Sequence, residues 1–458
     1  MTAVESASDV TGPHARFPAG FVWGAATSAF QIEGAADVGG KTPSIWDTFC
    51  ATPGAIADGS NGEIACDHYN RFGDDVDMMA GLGLQAYRFS VAWTRVIDER
   101  TGAVNPAGLD FYDRLVDRLL AAGIQPYPTL YHWDLPQALA DRGGWLSRDT
   151  AHRFADYAEA VVGRLGDRIR TWTTLNEPFV SAHHGYVSGE HAPGHTSMAE
   201  GLTASHHLLL AHGLAQERMR SMTDADMAIV LNFTHLRPAT DSDADREHHR
   251  HRHNLENRWF IEPLDGKGYP ADTAEHHEWD QHEVLDGDLE LIARPVDLLG
   301  INFYARSTVT AEGSYTLPSD ARRNAIGWEI HPPSFGHLLR WLRDDYSFER
   351  YLITENGAPM ADTLREDGRV VDHDRLDYIR DHLLELHSAI EDGCPVEGYL
   401  VWSLLDNFEW AHGYGPRFGI VEVDYETQAR IPKLSAEWFS GVARSNAISL
   451  DSLEDGNG

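Results

Sequence analysis

Short apolar runs, rich in β-branched and aromatic residues, recur along the chain and are separated by longer amphipathic stretches. The runs cover residues 21–30, 86–93, 124–132, 170–178, 227–233, 298–305, 351–357 and 398–407. Their hydrophobicity is continuous rather than alternating, the pattern of strands buried on both faces in a parallel sheet. One run, YLITENGAP (351–359), ends on a carboxylate, Glu355, and then turns at Asn356-Gly357. A surface glutamate needs no apolar strand to deliver it. A catalytic one does.

The intervening stretches predict helices. Asn105 reads as an N-cap followed by Pro106 at the first helical position, Phe111, Leu115 and Leu119 repeat every four residues, and Gly123 ends the helix. Leu376, Ile379, Leu383, Leu386 and Ile390 keep a 3.6-residue period, with Gly393 beyond them. Strand alternating with helix predicts an α/β fold with a parallel sheet, and eight such units predict a single (β/α)₈ TIM barrel. The competitor, an open doubly wound sheet, is weakened because no Gly-rich phosphate loop follows the first strand. The barrel is expected over residues 17–445, between an N-terminal arm (1–16) and an acidic tail (446–458) that are both expected to lack fixed structure.

A barrel of this kind places its active site at the C-terminal ends of the strands. Those ends carry Gln31-Ile32-Glu33, Arg88, His132-Trp133-Asp134, Asn176-Glu177-Pro178, Asn232, Asn302-Phe303-Tyr304, Glu355-Asn356-Gly357, and Trp402 with Glu409-Trp410. Any one of these is most simply an exposed loop residue. Polar and aromatic groups on strand after strand are harder to explain that way.

Charge narrows the partners. The chain has 458 residues and a net charge of −34, from 37 Lys+Arg against 71 Asp+Glu. Such a surface repels nucleic acid and anionic membranes. No stretch approaches the apolar length of a membrane span, and the N-terminus shows neither the basic nor the apolar region of a signal peptide. Three cysteines, Cys50, Cys66 and Cys394, cannot form a disulfide framework and read as reduced thiols of a cytoplasmic protein.

The candidate chemistry is equally restricted. No cofactor signature and no convincing metal set is present; HHRHRH (248–253) is interleaved with arginine and reads as a solvated helix face, and His276, His277 and His282 are discounted likewise. No Gly-x-Ser-x-Gly elbow supports acyl transfer. What remains is a pair of strand-end glutamates, Glu177 and Glu355, among Trp, Asn, Gln and His. Glycosidic bond cleavage needs two carboxylates, one protonated to assist the departing oxygen and one ionised to attack or to activate water. Indole faces suit sugar C–H surfaces, and amide, imidazole and carboxylate groups suit vicinal hydroxyls.

The motifs TLNEP (174–178), ITENG (353–357), YHWDLP (131–136), QIEGA (31–35), YRFSVAW (87–93) and WSLLDNFEW (402–410) resemble those of glycoside hydrolase family 1, the retaining β-glucosidase group. The resemblance runs from residue 17 to residue 439, in the family's order and spacing. It implies Glu355 as nucleophile and Glu177 as general acid/base. It further implies that Asn176 holds the sugar 2-hydroxyl and that Gln31, His132 and Glu409 bind other glycone hydroxyls. Trp402 would lie beneath the ring, Trp410 would donate its indole N–H, and Trp133 would belong to the same substrate-binding set. Arg88 and Tyr304 would hold Glu355 ionised and oriented, Asn302 would support them, and Trp328 would form the aglycone-side platform. The expected substrates are small β-glycosides or short β-linked oligosaccharides, with no cofactor and no metal. Retained Glu409-Trp410 disfavours a phospho-glycosidase, and retained Glu177 disfavours a thioglucosidase. The choice among glucosides, galactosides and fucosides stays open. Departures from the family pattern at residues 36–47, at Asp98-Glu99-Arg100, between Tyr304 and Trp328, and at Leu434 fall in loops and the outer rim. A rival from another class is a non-catalytic sugar-binding barrel.

Overall fold

Eight parallel strands close on themselves in the structure, a computed structural model that describes residues 14–279, 281–365 and 367–450. They are β1 (Val22–Ala26), β2 (Ala86–Ser90), β3 (Gln125–Tyr131), β4 (Thr171–Asn176), β5 (Asp226–Pro238), β6 (Leu298–Val309), β7 (Tyr351–Asn356) and β8 (Val396–Trp402). Each pairs with its sequence neighbours, and β8 pairs with β1 to complete the barrel. Helices α1 (His68–Gly81), α2 (Pro106–Ala121), α3 (Arg148–Leu165), α4 (Met198–Met219), α5 (Asp243–His253), α6 (Pro333–Asp345), α7 (His373–Glu391) and α8 (Leu434–Ser445) lie between and after the strands. The predicted α/β barrel is the observed fold.

The continuous apolar runs have the expected cause. β2, β4 and β7 are buried at every position. Their outward residues meet the helices, and their inward residues fill the barrel. A small interior cluster of Ala26, Ala86, Tyr127, Ala228, Leu298, Leu352 and Leu400 plugs it, with Trp402 and Phe418 joining the same cluster. Arg88, Thr129, Asn176, Asn302, Thr354 and Glu355 are also buried, polar groups carried by the same strands. The helix signals behave as read: the Asn105 side chain accepts from Ala107 N, Pro106 opens α2, and Gly123 takes φ +76 just past its end.

Several boundaries differ from expectation. The first run is a strand only to Ala26 and then a helical turn, Ala29–Ile32. The last stops at Trp402 and continues as irregular chain. β5 and β6 overrun the predicted ends and continue as a ribbon from His235↔Arg306 to Pro238↔Val309. Their outer halves are mostly polar and half-buried, with only Leu236, Thr308 and Val309 buried, so apolar continuity could not reveal them. The expectation that 1–16 and 446–458 lack fixed structure lies largely outside the described residues. Where it does not, the structure corrects it: His14–Arg16 pairs antiparallel with Ala447–Ser449, burying Ala15 and Ile448.

The HHRHRH stretch is also corrected. It forms the end of α5, but five of its six residues, His248, His249, His251, Arg252 and His253, are half-buried rather than solvent-facing. His249 Nε2 lies 3.0 Å from the Leu236 carbonyl, and His253 packs edge-on against Trp341. The β5–β6 ribbon covers a helix face that the sequence made look bare.

Gly357 follows β7 where that strand passes closest to β8. A Cβ added there would stand 1.7 Å from the Trp402 carbonyl oxygen, which is backbone and cannot swing aside. Gly357→Ala is therefore expected to destabilise the protein by about 1–3 kcal/mol through overpacking, measured as a lower denaturant midpoint. An unchanged midpoint would mean that the two strands do not approach so closely.

Candidate active site

The strand ends deliver their polar groups into one hydrogen-bonded network. Arg88, on β2, is the hub. Its Nη1 donates to Glu355 Oε1 at 2.5 Å, its Nη2 to Asn176 Oδ1 at 2.6 Å and its Nε to Thr129 Oγ1 at 3.0 Å. One planar guanidinium thus ties together the ends of β3, β4 and β7. The Tyr304 hydroxyl donates to the other Glu355 oxygen, Oε2.

Glu177 stands just past β4, in the left-handed region at φ +48, with its backbone N–H donating to Val230 O at 2.9 Å. The Asn302 side-chain amide donates to Glu177 Oε1 at 2.5 Å and to Asn176 Oδ1 at 3.1 Å. Asn302 is itself fixed by Thr354 Oγ1, which donates to its Oδ1 at 2.6 Å. A continuous path therefore runs Glu177–Asn302–Asn176–Arg88–Glu355. Trp133 and Trp410 also take positive φ, +76 and +49. Such backbone costs of order 1–3 kcal/mol per residue and collects where function holds it in place.

The two glutamates differ in what surrounds them. Both are almost fully buried, Glu177 at 4% and Glu355 at 3% exposure. Burial, reinforced by the neighbouring Glu355 charge, pushes the Glu177 carboxyl well above the usual carboxylate range. Burial raises Glu355 as well, but the Arg88 guanidinium and the Tyr304 hydroxyl pull it back down. Glu355 consequently ionises first and Glu177 keeps the proton. A third acid, Glu409, is pushed up to about 8 by burial and by the Glu355 charge, with Gln31 opposing.

A polar and aromatic pocket adjoins the pair. Gln31 Nε2 donates to Asn407 Oδ1 and to Phe408 O, both at 2.9 Å, and to Glu409 Oε2 at 3.4 Å, while its Oε1 accepts from Ser28 Oγ at 2.6 Å. His132 Nε2 is 3.1 Å from Asn176 Nδ2, and its Nδ1 has no partner within the protein. Burial, then the Arg88 charge, keeps this imidazole well below its usual pKa and hence neutral. His132 stacks at 17° on Trp402 and at 14° on Trp410. Trp328 lies at the outside, 40% exposed, edge-on to Tyr304.

The structure thus gathers the predicted residues, with two changes of emphasis. Trp133 gives its indole N–H to Asn176 O at 3.0 Å and packs on Trp410 at 4.6 Å, so it braces the pocket with its donor already used. Asn232 stands in register with Asn302, and its Oδ1 is buried with no partner. Sequence reasoning missed the residues that hold the others: Thr129, Thr354, Ser28 and Asn407. Two gave a faint signal as threonines inside otherwise apolar strands. It also missed His191, whose ring packs at 5.2 Å on Trp46 and 5.6 Å on Trp133.

The profile described as Glycosyl hydrolase family 1 matches residues 13–448. The chain is 48% identical over 455 residues to thermostable beta-glucosidase B of Thermobispora bispora, covering 97% of this chain and 93% of that protein. It is 44% identical to a bifunctional beta-D-glucosidase/beta-D-fucosidase of Bifidobacterium breve, covering 92% and 97% of the two chains. Among solved structures, the beta-glucosidase from Thermotoga maritima in complex with glucoimidazole superposes with a TM-score of 0.92 at 42% identity, over 95% of this chain and all (100%) of that one.

Replacing the hub tests the network. Arg88→Met should leave Glu355 buried without its cation and destabilise the fold by about 3–5 kcal/mol, read from urea unfolding at neutral pH. A loss below about 1 kcal/mol would show that the pair contributes little beyond packing.

Proposed function

The chain belongs to glycosyl hydrolase family 1, and we propose from this premise that Glu355 and Glu177 cleave β-glycosides by double displacement. It is a retaining β-glycosidase of the β-glucosidase group, acting on terminal non-reducing β-D-glycosyl residues. The observation that carries the assignment of roles is the asymmetry of the acid pair: Glu355 has a guanidinium and a phenol, whereas Glu177 has a neutral amide.

In the first step a Glu355 oxygen bonds to the anomeric carbon while the bond to the aglycone oxygen breaks. The Glu177 proton passes to that leaving oxygen. Glu355 is then an ester and carries no charge, so the repulsion that kept Glu177 protonated is gone. In the second step Glu177 takes a proton from water, whose oxygen attacks the same carbon and expels Glu355. Two inversions give retention, which requires carboxyl groups about 5–5.5 Å apart. Asn176 would hold the 2-hydroxyl, where a contact strengthens as positive charge develops on the ring. Gln31, His132, Glu409 and Trp410 would hold the remaining hydroxyls, with Trp402 beneath the ring and Trp328 against the aglycone.

The substrates we infer are aryl or alkyl β-glucosides and short β-linked oligosaccharides, including fragments from cellulose degradation. The bifunctional relative supports tolerance of fucosides. Three unpaired cysteines support a reducing, cytoplasmic setting. No helix among the described residues is long and apolar enough to cross a membrane. The rival reading, a non-catalytic sugar-binding barrel, finds no support: a binder gains nothing from burying two mutually repelling carboxyls.

Mutant kinetics separate the two roles. Glu355→Ala should lower hydrolysis of a nitrophenyl β-glucoside by about 10⁴-fold or more, with azide restoring turnover and yielding a glycosyl azide of inverted configuration. Glu177→Ala should cost about 10²–10⁴-fold on substrates with poor leaving groups and much less on activated aryl glycosides. Wild-type rates in both variants would remove the assignment.

A further inference from the structure

Asp134 lies just past the end of β3, yet the mechanism leaves it without a role. It is 2% exposed, and its Oδ1 has no hydrogen-bond partner within the protein. It forms part of the wall of a small cavity shared with Ala29, Phe30, Glu33, Lys41 and Arg95. That cavity lies between two turns that carry glycone-binding groups. On one side is the turn with Gln31 and Glu33; on the other is His132-Trp133, immediately before Asp134.

The chain beside this cavity is tightly laced. Ile45 N donates to Leu135 O at 2.8 Å and Gln137 N to Pro43 O at 2.9 Å, so the chain after Asp134 is pinned to residues 43–45. Trp133 is held at φ +76 and braces Asn176. Nothing nearby is free to neutralise a charge on Asp134. The Glu33 carboxylate accepts from Arg95 Nε at 2.6 Å and from the Tyr112 hydroxyl at 2.7 Å. Arg95 gives its other nitrogens to the backbone carbonyls of Gly34, Ala35 and Val38. Lys41 is paired with Asp47 at 3.0 Å. Among the described residues no cation stands within ion-pair distance of Asp134.

We propose that Asp134 is a positioning residue for the glycone pocket, that it acts as a neutral carboxylic acid filling the seam between the Gln31 and His132 turns, and that its ionisation loosens their grip on the sugar. A bare carboxylate buried here would have to be neutralised or hydrated. Glu33 and Asp47 repel such a charge, and against them stand only the backbone N–H of Asp134 itself and Lys41, which is already paired. Burial first, then the Glu33 charge, pushes Asp134 up to about 7. The hydroxyls of Tyr131 on β3 and Tyr157 on α3 are the remaining titratable groups near it, and both are held protonated by burial. Opening the seam to water would relieve the charge and displace His132 and Gln31, both rooted in its walls.

This inference rests on the sugar-binding reading of the pocket, and the experiment keeps the two apart. Glucose binding is measured by calorimetry from pH 5 to 9 in a Glu177→Gln background, which removes the acid/base titration. Glu409 titrates in both proteins compared and cancels. With Asp134 present, affinity should fall by up to about tenfold per pH unit above 7, the limit for one ionisation that blocks binding. Adding Asp134→Asn, an uncharged isostere of the acid, should remove that part of the fall. Superimposable profiles overturn the proposal. Absence of glucose binding at pH 6 would instead overturn the sugar-pocket reading, and stability then decides on Asp134. A carboxyl whose pKa is raised on folding makes the native state bind more protons than the unfolded one between pH 4 and pH 7, so stability falls across that interval. The melting temperature of Asp134→Asn should therefore gain on wild type from pH 4 to pH 7 and hold that gain above it. A constant difference, or a variant that does not fold at any pH, means that Asp134 works as a charge and overturns the proposal.

Discussion

The buried ion pair between Arg88 and Glu355 is the constraint on which the rest of the pocket depends. Taking both charges out of water costs several kcal/mol each, and attraction alone does not recover it. The structure recovers it through geometry. Each guanidinium nitrogen has an acceptor, and the acceptors sit on β3, β4 and β7. Arginine is suited to this hub because its fork is planar and its charge persists at any physiological pH. A lysine could neutralise Glu355 but could not hold Asn176 and Thr129 at fixed angles.

From that pair follows the division of labour between two identical side chains. Glu177 and Glu355 share burial, so burial alone would protonate both. The difference lies in their partners: a cation and a phenol on one, the amide of Asn302 on the other. In the proposed mechanism the same asymmetry reverses during reaction, because the charge that keeps Glu177 protonated vanishes when Glu355 becomes an ester. No residue needs to move for the acid to become a base. This is consistent with a network in which Asn302 and Asn176 each contact two or more site residues, so that rotation of one would break several bonds.

What the sequence disclosed and what it withheld divide along a physical line. Strand identity was legible because burial on both faces forces continuous apolar runs, and the pocket was legible because such strands have no other reason to end on Arg88, Asn176, Glu177 and Glu355. The holding residues were not. Thr129 and Thr354 are ordinary strand formers, and only coordinates reveal that their hydroxyls are committed to Arg88 and Asn302. Nor could sequence show that Trp133 has given its indole N–H to a backbone carbonyl, since one motif letter serves a stacking platform or a brace. The outer β5–β6 ribbon was hidden because most of its residues are half-buried, and with it the cover over the α5 histidines.

The pocket is unevenly built, and the unevenness predicts its selectivity. On the proposed glycone side Gln31, His132, Trp402 and Trp410 are each at most 3% exposed, with Gln31 hydrogen-bonded to Phe408 O and His132 stacked on both indoles. A hydroxyl missing from the sugar would leave buried donors and acceptors unpaired, which a rigid polar site rejects strongly. The proposed aglycone platform, Trp328, rests edge-on against Tyr304 and Phe418 in a loop and is 40% exposed. An apolar wall of that kind gains little from any one methylene and discriminates weakly between shapes. Discrimination therefore belongs to the ring that enters the barrel, and breadth belongs to whatever is attached to it. Within the ring, Glu409 is the polar contact least fixed by strong partners, held by Gln31 at 3.4 Å and titrating near 8. Tolerance at the sugar positions it meets is thus where this rigid pocket has room to differ from its relatives.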